Sequence, residues 1–316
     1  MKILSFGSMN IDNTYSVDEF VQPGETMTAK NLSKFCGGKG LNQSIALASA
    51  GADVAHFGCV GEDGDILLDM LKSRGVNTDS VIKIDNITSG HAIIQVDSHG
   101  QNSILLYPGA NRRMTPELID RELEKYSCGD WLLIQNETNC LEYIMRAANK
   151  KGMKIAFNPS PMDGTVSTLP LELVDLFLVN EIEGAAVTGK EITEEITAEF
   201  EKLFPNAAVI LTLGKKGSIF KSEKDMLFQP SYCGTVKDTT GAGDTYTGFF
   251  IANYIKGVSP QECMRIAAMA STVQISRDGA AIAIPKKQEV LNALKNHCRW
   301  YVKLFFANCI GNTEQN

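Results

Sequence analysis

Lys237–Gly248 reads KDTTGAGDTYTG. Gly241 and Gly243 flank Ala242 where an apolar helical run begins, carrying Tyr246, Phe249, Phe250 and Ile251. Glycine leaves the main chain bare, so consecutive amides can converge on one oxygen. The first turn of a helix adds free N–H groups and partial positive charge. Gly241-Ala242-Gly243 is therefore a candidate anion hole for a phosphate. The stretch fits neither the Walker A pattern nor the dinucleotide fingerprint. Asp244 follows at once, where a carboxylate should repel a polyanion. It is either a plain first-turn acid that stabilises the helix or a general base. An alcohol attacking phosphorus must lose its proton, and a carboxylate within reach can take it. The amides would then stabilise charge on the migrating phosphoryl group. Cations must offset the repulsion, which implies Mg²⁺. Asp238 either serves a second cation or closes the turn. A strand is expected to run up to Val236 and feed this turn.

The chain can bury a large core. It has 316 residues, 44% of them hydrophobic, enough for one big α/β domain or two smaller ones. A charged fraction of 21% argues against disorder. The net charge is −7 and no Lys/Arg-rich run occurs, which disfavours nucleic acid and anionic membranes as partners. Eight cysteines are scattered without a C-x-x-C, and there are only four histidines. Free thiols in a reducing cytoplasm are expected, not disulfides or zinc. The opening MKILSFGSMNID turns polar too soon for a signal peptide. No window reaches the ~18–20 apolar residues of a membrane helix.

Strand and helix patterns alternate along the chain. Ile3–Phe6, Val54–Cys59, Trp131–Gln135, Lys154–Asn158, Leu176–Val179 and Ala208–Thr212 are short apolar runs. Leu41–Ala50 reads as a buried helix, and Gly64–Arg74 carries a helical apolar stripe. Such alternation predicts a doubly wound α/β fold, a mostly parallel sheet sandwiched by helices. Four pieces break the pattern. Gly90–Asp97 and Gln101–Tyr107 form a hairpin pattern around Ser98-His99-Gly100, and Asn13–Ser16 and Glu25–Ser33 flank Pro23-Gly24. They predict a small antiparallel sheet, either an edge extension or a lid over a ligand.

Polar residues gather where apolar strands end. Asn10 and Asp12 lie two apart, so in extended chain they share a face. A carboxylate and amides suit vicinal hydroxyls. Cys36–Gln43, CGGKGLNQ, surrounds Lys39 with Gly37, Gly38 and Gly40, which would let a ligand approach the main chain, and Asn42 lies in the next helix's first turn. Gln135–Glu137, Asn180–Glu183 and Thr212–Gly217 follow three further strands. With the Asn10–Asp12 stretch and the Lys237–Gly248 turn, these three make five polar loops after presumed strands, each also readable as a plain solvated loop. In a parallel sheet all would open on one rim, where ligands bind.

GGKGLNQ with the following AGADVAHFGCVGEDG, and DTTGAGDTYTGFF, resemble the two signatures of the ribokinase-like (PfkB) carbohydrate kinases. The likeness runs from about Lys2 to Pro285. It implies one kinase domain over residues 1–310, with a β-lid from about 13–35 and 90–107 and a polar tail at 311–316. It implies ATP-dependent phosphorylation of the primary hydroxyl of a small sugar, ribose first. Fructose, deoxyribose, adenosine and pseudouridine remain alternatives. By the same likeness Asn10, Asp12, Gly38, Lys39, Gly40, Asn42 and Glu137 hold the sugar and Asp244 is the base. Asn180 and Glu183 organise Mg²⁺ and phosphate, and Thr212, Gly214, Gly217 and Gly243 bind the nucleotide. A K⁺ site is implied at Asp238, Thr240, Gln274, Arg277, Gly279 and Ala283. Ala283 departs from the pattern, which commonly has a serine there, and Ala268 stands where a histidine commonly lies beside the adenine. A homodimer through the lid is a further implication. Lys287–Phe306 reads as a terminal helix. A non-catalytic sugar-binding protein and a nicotinamide dehydrogenase are disfavoured by the intact GAGD turn and the missing fingerprint.

Overall fold

The computed structural model describes residues 1–297. The chain opens with β1 (Ile3–Phe6) and leaves the main sheet for β2 (Asn10–Ser16) and β3 (Asn31–Gly37). Helix α1 (Lys39–Ser49) returns it to β4 (Val54–Phe57). A short excursion follows: β5 (Cys59–Val60), α2 (Asp65–Ser73) and β6 (Ile82–Lys83). The hairpin β7 (Gly90–Val96) and β8 (Asn102–Tyr107) comes next, then α3 (Pro116–Leu123). Strand and helix then alternate through β9 (Trp131–Gln135), α4 (Leu141–Lys150), β10 (Lys154–Asn158), β11 (Leu176–Asn180), α5 (Glu181–Thr188), α6 (Thr193–Leu203) and β12 (Ala208–Thr212). The antiparallel edge strands β13 (Ser218–Lys221) and β14 (Met226–Gln229) precede α7 (Ala242–Tyr254) and α8 (Pro260–Gln274).

The main sheet has the order β14-β13-β12-β11-β10-β9-β1-β4. Its pairs from β4 to β12 are parallel. Successive residues of one strand feed opposite faces: Ile3 and Leu133 join the layer under α1, α7 and α8, whereas Leu4 and Leu132 join the layer under α3, α4 and α6. Helices on both faces explain why these strands are apolar throughout. Helices α1 and α7 meet closely. A Cβ on Gly248 would lie 2.3 Å from the Ala46 Cβ and 2.7 Å from the Leu47 amide nitrogen.

The second sheet has the order β3-β2-β7-β8, with antiparallel outer pairs around a parallel β2–β7 pair. Leu32, Phe35, Ile104, Leu105, Leu106 and Tyr107 are exposed on it. Several strand boundaries differ from the sequence reading: β2 begins at Asn10, not Asn13, and the Val54–Cys59 run is split into β4 and β5. The second lid strand is β3, not Glu25–Ser33, because the Pro23-Gly24 turn is followed by irregular chain until Asn31 pairs with Ser16. No strand reaches Val236: β14 ends at Gln229 and irregular chain leads to the phosphate turn. The terminal helix is seen over residues 287–297, where Val290 and Leu294 are buried. Its expected continuation to Phe306 and the polar tail lie outside the described residues.

Candidate active site

Gly241 caps α7 in the left-handed region at φ 77°, which favours glycine. The Ala242 amide donates to Thr239 O at 3.2 Å, so it is already engaged. The amides of Gly241 and Gly243 have no acceptor among the described residues. The expected three-amide hole is thus narrower, two glycine amides at a helix N-terminus. They border a cleft of about 240 Å³, also lined by Lys39, Asn158, Glu183, Thr212 and Asp244.

Asp244 is 8% exposed. Its Oδ2 accepts from Asn42 Nδ2 at 3.0 Å and its Oδ1 from Gln43 Nε2 at 2.9 Å. Both donors sit on α1, pressed against α7. Gln43 Nε2 also reaches Asn158 Oδ1 at 3.0 Å, and Gln135 Nε2 donates to Gln43 Oε1 at 2.7 Å. Asn158 Nδ2 in turn donates to Leu178 O at 2.8 Å and, at 3.4 Å, to Glu183 Oε2. A buried chain of carboxamides therefore ties the ends of β9, β10 and β11 to the carboxylate on α7. Asn42 Oδ1 is buried without a partner, an acceptor suited to a ligand hydroxyl. Sequence reasoning missed Gln43, Gln135 and Asn158 as functional residues. The signal was present: polar amides in a helix and strands otherwise wholly buried need partners.

On the lid side, Glu137 accepts from the Ser8 hydroxyl and from the Lys39 amide at 2.9 Å. Burial pushes Glu137 above the usual carboxylate range, outweighing Ser8 and Lys39, which pull it down. Burial, and then the charge of Glu137, lift Asp12 to about 7. Burial pulls the Lys39 ammonium down, but the carboxylates of Asp244, Glu137 and Glu183 together hold it above its ordinary value. Asn10 Oδ1 accepts from Asn111 Nδ2 at 2.8 Å, and Asn111 also bonds both main-chain groups of Met9. Asn111 carries no sequence signal of its own, and Ser8 stood out only as the start of the SMNID stretch. Two glycines of this loop also pack closely: a Cβ on Gly37 would lie 2.1 Å from Asp12 Oδ2, and one on Gly40 2.4 Å from the Ser8 amide nitrogen. Gly38 adopts φ 92° as the cap of α1.

Asn180 and Glu183 form a capping box at α5, with Asn180 Oδ1 accepting from the Glu183 amide at 2.8 Å and Glu183 Oε2 from the Asn180 amide at 3.1 Å. All the hydrogen bonds to the Glu183 carboxylate fall on Oε2, which leaves Oε1 for the cleft. The described residues contain no cluster of three or more metal-ligating side chains. An isolated carboxylate beside a cleft fits Mg²⁺ that arrives on phosphates and keeps its waters. Thr212 lines the cleft, whereas Gly214 and Gly217 do not. A Cβ on Gly217 would lie 2.1 Å from Gln229 O, so this glycine serves the β13–β14 edge. At the implied K⁺ site, Asp238 accepts the Thr240 and Gly279 amides, and Gln274 Nε2 occupies carbonyls of the same turn.

Main-chain amides at a helix N-terminus, a carboxylate fixed beside them and a polar cleft suit a small-molecule phosphotransferase. The comparisons agree with that class. The model of the pfkB family carbohydrate kinases matches residues 1–287. A ribokinase of Haemophilus influenzae is 33% identical over 298 residues, taking in 92% of this chain and 97% of that protein. A deoxyribokinase of Salmonella typhi is 29% identical over 298 residues, 92% of this chain and 97% of that one. The structure of Arabidopsis thaliana ribokinase complexed with ribose and ATP superposes with a TM-score of 0.81 at 29% identity, covering 93% of this chain and 98% of that one. The chain belongs to the PfkB family of carbohydrate kinases. It is a sugar kinase, a phosphotransferase with an alcohol acceptor. No helix among the described residues is long and apolar enough to cross a membrane.

Proposed function

We propose that this kinase transfers the γ-phosphoryl group of ATP to the primary hydroxyl of D-ribose, giving ribose 5-phosphate and ADP. The observation that carries the reading is the Asp244 carboxylate, held by Asn42 and Gln43 beside the free glycine amides. The hydroxyl oxygen attacks the γ-phosphorus while its proton passes to Asp244. The bond to the β–γ bridging oxygen breaks, and its electron pair leaves with ADP. The Gly241 and Gly243 amides and the dipole of α7 stabilise charge on the moving group. Bound Mg²⁺ supplies charge neutralisation of the phosphates, and Glu183 and Asn180 would hold it through their oxygens. Lys39, kept charged by three carboxylates, faces the same polyanion. Asp12, Glu137, Asn10 and the partnerless Asn42 Oδ1 grip the sugar hydroxyls, with Gly38 and Gly40 shaping the loop. Thr212 borders the nucleotide, and Gly214 and Gly217 shape the loop beside it. A homodimer through the apolar outer face of the lid is part of this reading.

Deoxyribose is the second reading, because a deoxyribokinase is nearly as similar as the ribokinase. A coupled ADP-release assay over ribose, deoxyribose, fructose, tagatose, adenosine and pseudouridine tests the choice. Ribose is expected to give the highest kcat/KM. A higher value with any other acceptor transfers the assignment to that substrate.

A further inference from the structure

Gln274, the last residue of α8, is wholly buried behind the phosphate turn. Its Nε2 donates to three converging carbonyls: Thr240 O at 3.0 Å, Gly279 O at 3.1 Å and Ala280 O at 3.1 Å. A carboxamide has two N–H groups, so three acceptors share two hydrogens. Gln274 Oε1 is buried without a partner. Turning the amide over would set that oxygen against three others. Asp238 flanks the same carbonyls, its Oδ1 accepting the Thr240 amide at 2.8 Å and its Oδ2 the Gly279 amide at 2.9 Å.

Carbonyls converging beside a carboxylate form an electronegative nest that calls for positive charge. The sequence resemblance implies K⁺ for it, but the residues present do not fit that ion. The Thr240 and Gly279 carbonyls are taken by the Gln274 nitrogen, and both Asp238 oxygens by amides. Ala283 has no hydroxyl to offer, and Arg277 turns to the Ala283 carbonyl and to Glu289. We propose that the Gln274 carboxamide is a built-in substitute for a monovalent cation, holding the phosphate turn in its anion-binding form without K⁺. The contact with the turn is direct: a Cβ on Gly241 would lie 3.5 Å from Gln274 Nε2. Gln274 is thus a positioning residue. The activity arm of its test rests on the kinase reading above, while the melting arm needs no substrate.

The first arm follows ADP release with ribose and MgATP in tetramethylammonium buffer, with K⁺, Na⁺ or Cs⁺ added at matched ionic strength. The wild type should keep its rate within about twofold, whereas Gln274→Ala should lose about tenfold or more without K⁺ and regain part of it with K⁺. Gln274→Met fills the space without an N–H and should lose as much with no rescue. The second arm is thermal melting in the same salts. Gln274→Ala should show a K⁺-specific rise in Tm that the wild type lacks. K⁺-specific stimulation or stabilisation of the wild type overturns the proposal, even if Gln274→Ala does not fold. So does a Gln274→Ala enzyme at full rate in tetramethylammonium. An inactive wild type with the melting contrast intact refutes the choice of ribose and supports the cation substitute.

Discussion

Each oxygen of Asp244 accepts a hydrogen bond from a buried carboxamide, whereas the Asp12 carboxylate accepts none among the described residues. Asp244 is buried and lines the cleft, whereas Asp12 is half-buried beside Glu137. Asp12 faces a like charge on Glu137, and burial together with that charge lifts it to about 7. The protein completes the surroundings of Asp244, the proposed base, by itself. It leaves Asp12, proposed for the sugar, short of donors, which the hydroxyls of a polyol can supply. In the proposed reading this difference would separate a residue set for chemistry from residues set for recognition.

The largest test of that separation is Asp244→Asn. Turnover should fall by about 10²–10⁴ while the sugar dissociation constant stays nearly constant. Steady-state rates with calorimetric titration check this, and near-normal turnover would break the contrast. Asp12→Ala should do the reverse, weakening sugar binding about 10–100-fold through lost charge-assisted hydrogen bonds and leaving ATP binding unchanged. Equal losses for both ligands in titration calorimetry would erase the distinction. Gln43→Ala should cost about 5–10-fold in kcat with little change in KM, since one of two bonds to Asp244 disappears. A rise in KM alone would assign Gln43 to binding.

The smallest effect is a pH dependence. Asp12 titrates near 7 in the folded chain and at 3.8 as a free side chain. Its folded value is raised, so its contribution to stability is full below the unfolded value and is lost as pH rises through about 7. Relative to wild type, Asp12→Asn should therefore gain stability between these limits in urea titrations. Sugar affinity should run the other way, strengthening as pH rises through about 7 because hydroxyls donate to the ionised form. A flat affinity profile in the wild type would remove Asp12 from the sugar site.

The parallel sheet and the lid hairpin were legible because apolar runs of strand length and the turn Ser98-His99-Gly100 are local signals. The GAGD turn was legible for the same reason. The start of β3 was not, since Asn31 begins pairing by its register with Ser16 and not by a change in composition. The Ala242 amide's engagement depends on the fold of Thr239–Gly241 and leaves no trace in residue type. Gln43, Asn111 and Gln135 were hidden by distance, because their partners lie about a hundred residues or more away. Gln274 was visible as a position in a pattern, but the bond from its side chain to Thr240 O, 34 residues away, was not.

The meeting of Gly248 with Ala46 and Leu47 has a mechanical consequence. One of these helices carries Asp244, the proposed proton acceptor, and the other carries both carboxamides that bond it. The close approach leaves no space for a side chain between them, so the two helices pack as one unit. In the proposed mechanism the groups around Asp244 would then stay fixed, and any closure over the sugar would fall to the sheet of β2, β3, β7 and β8.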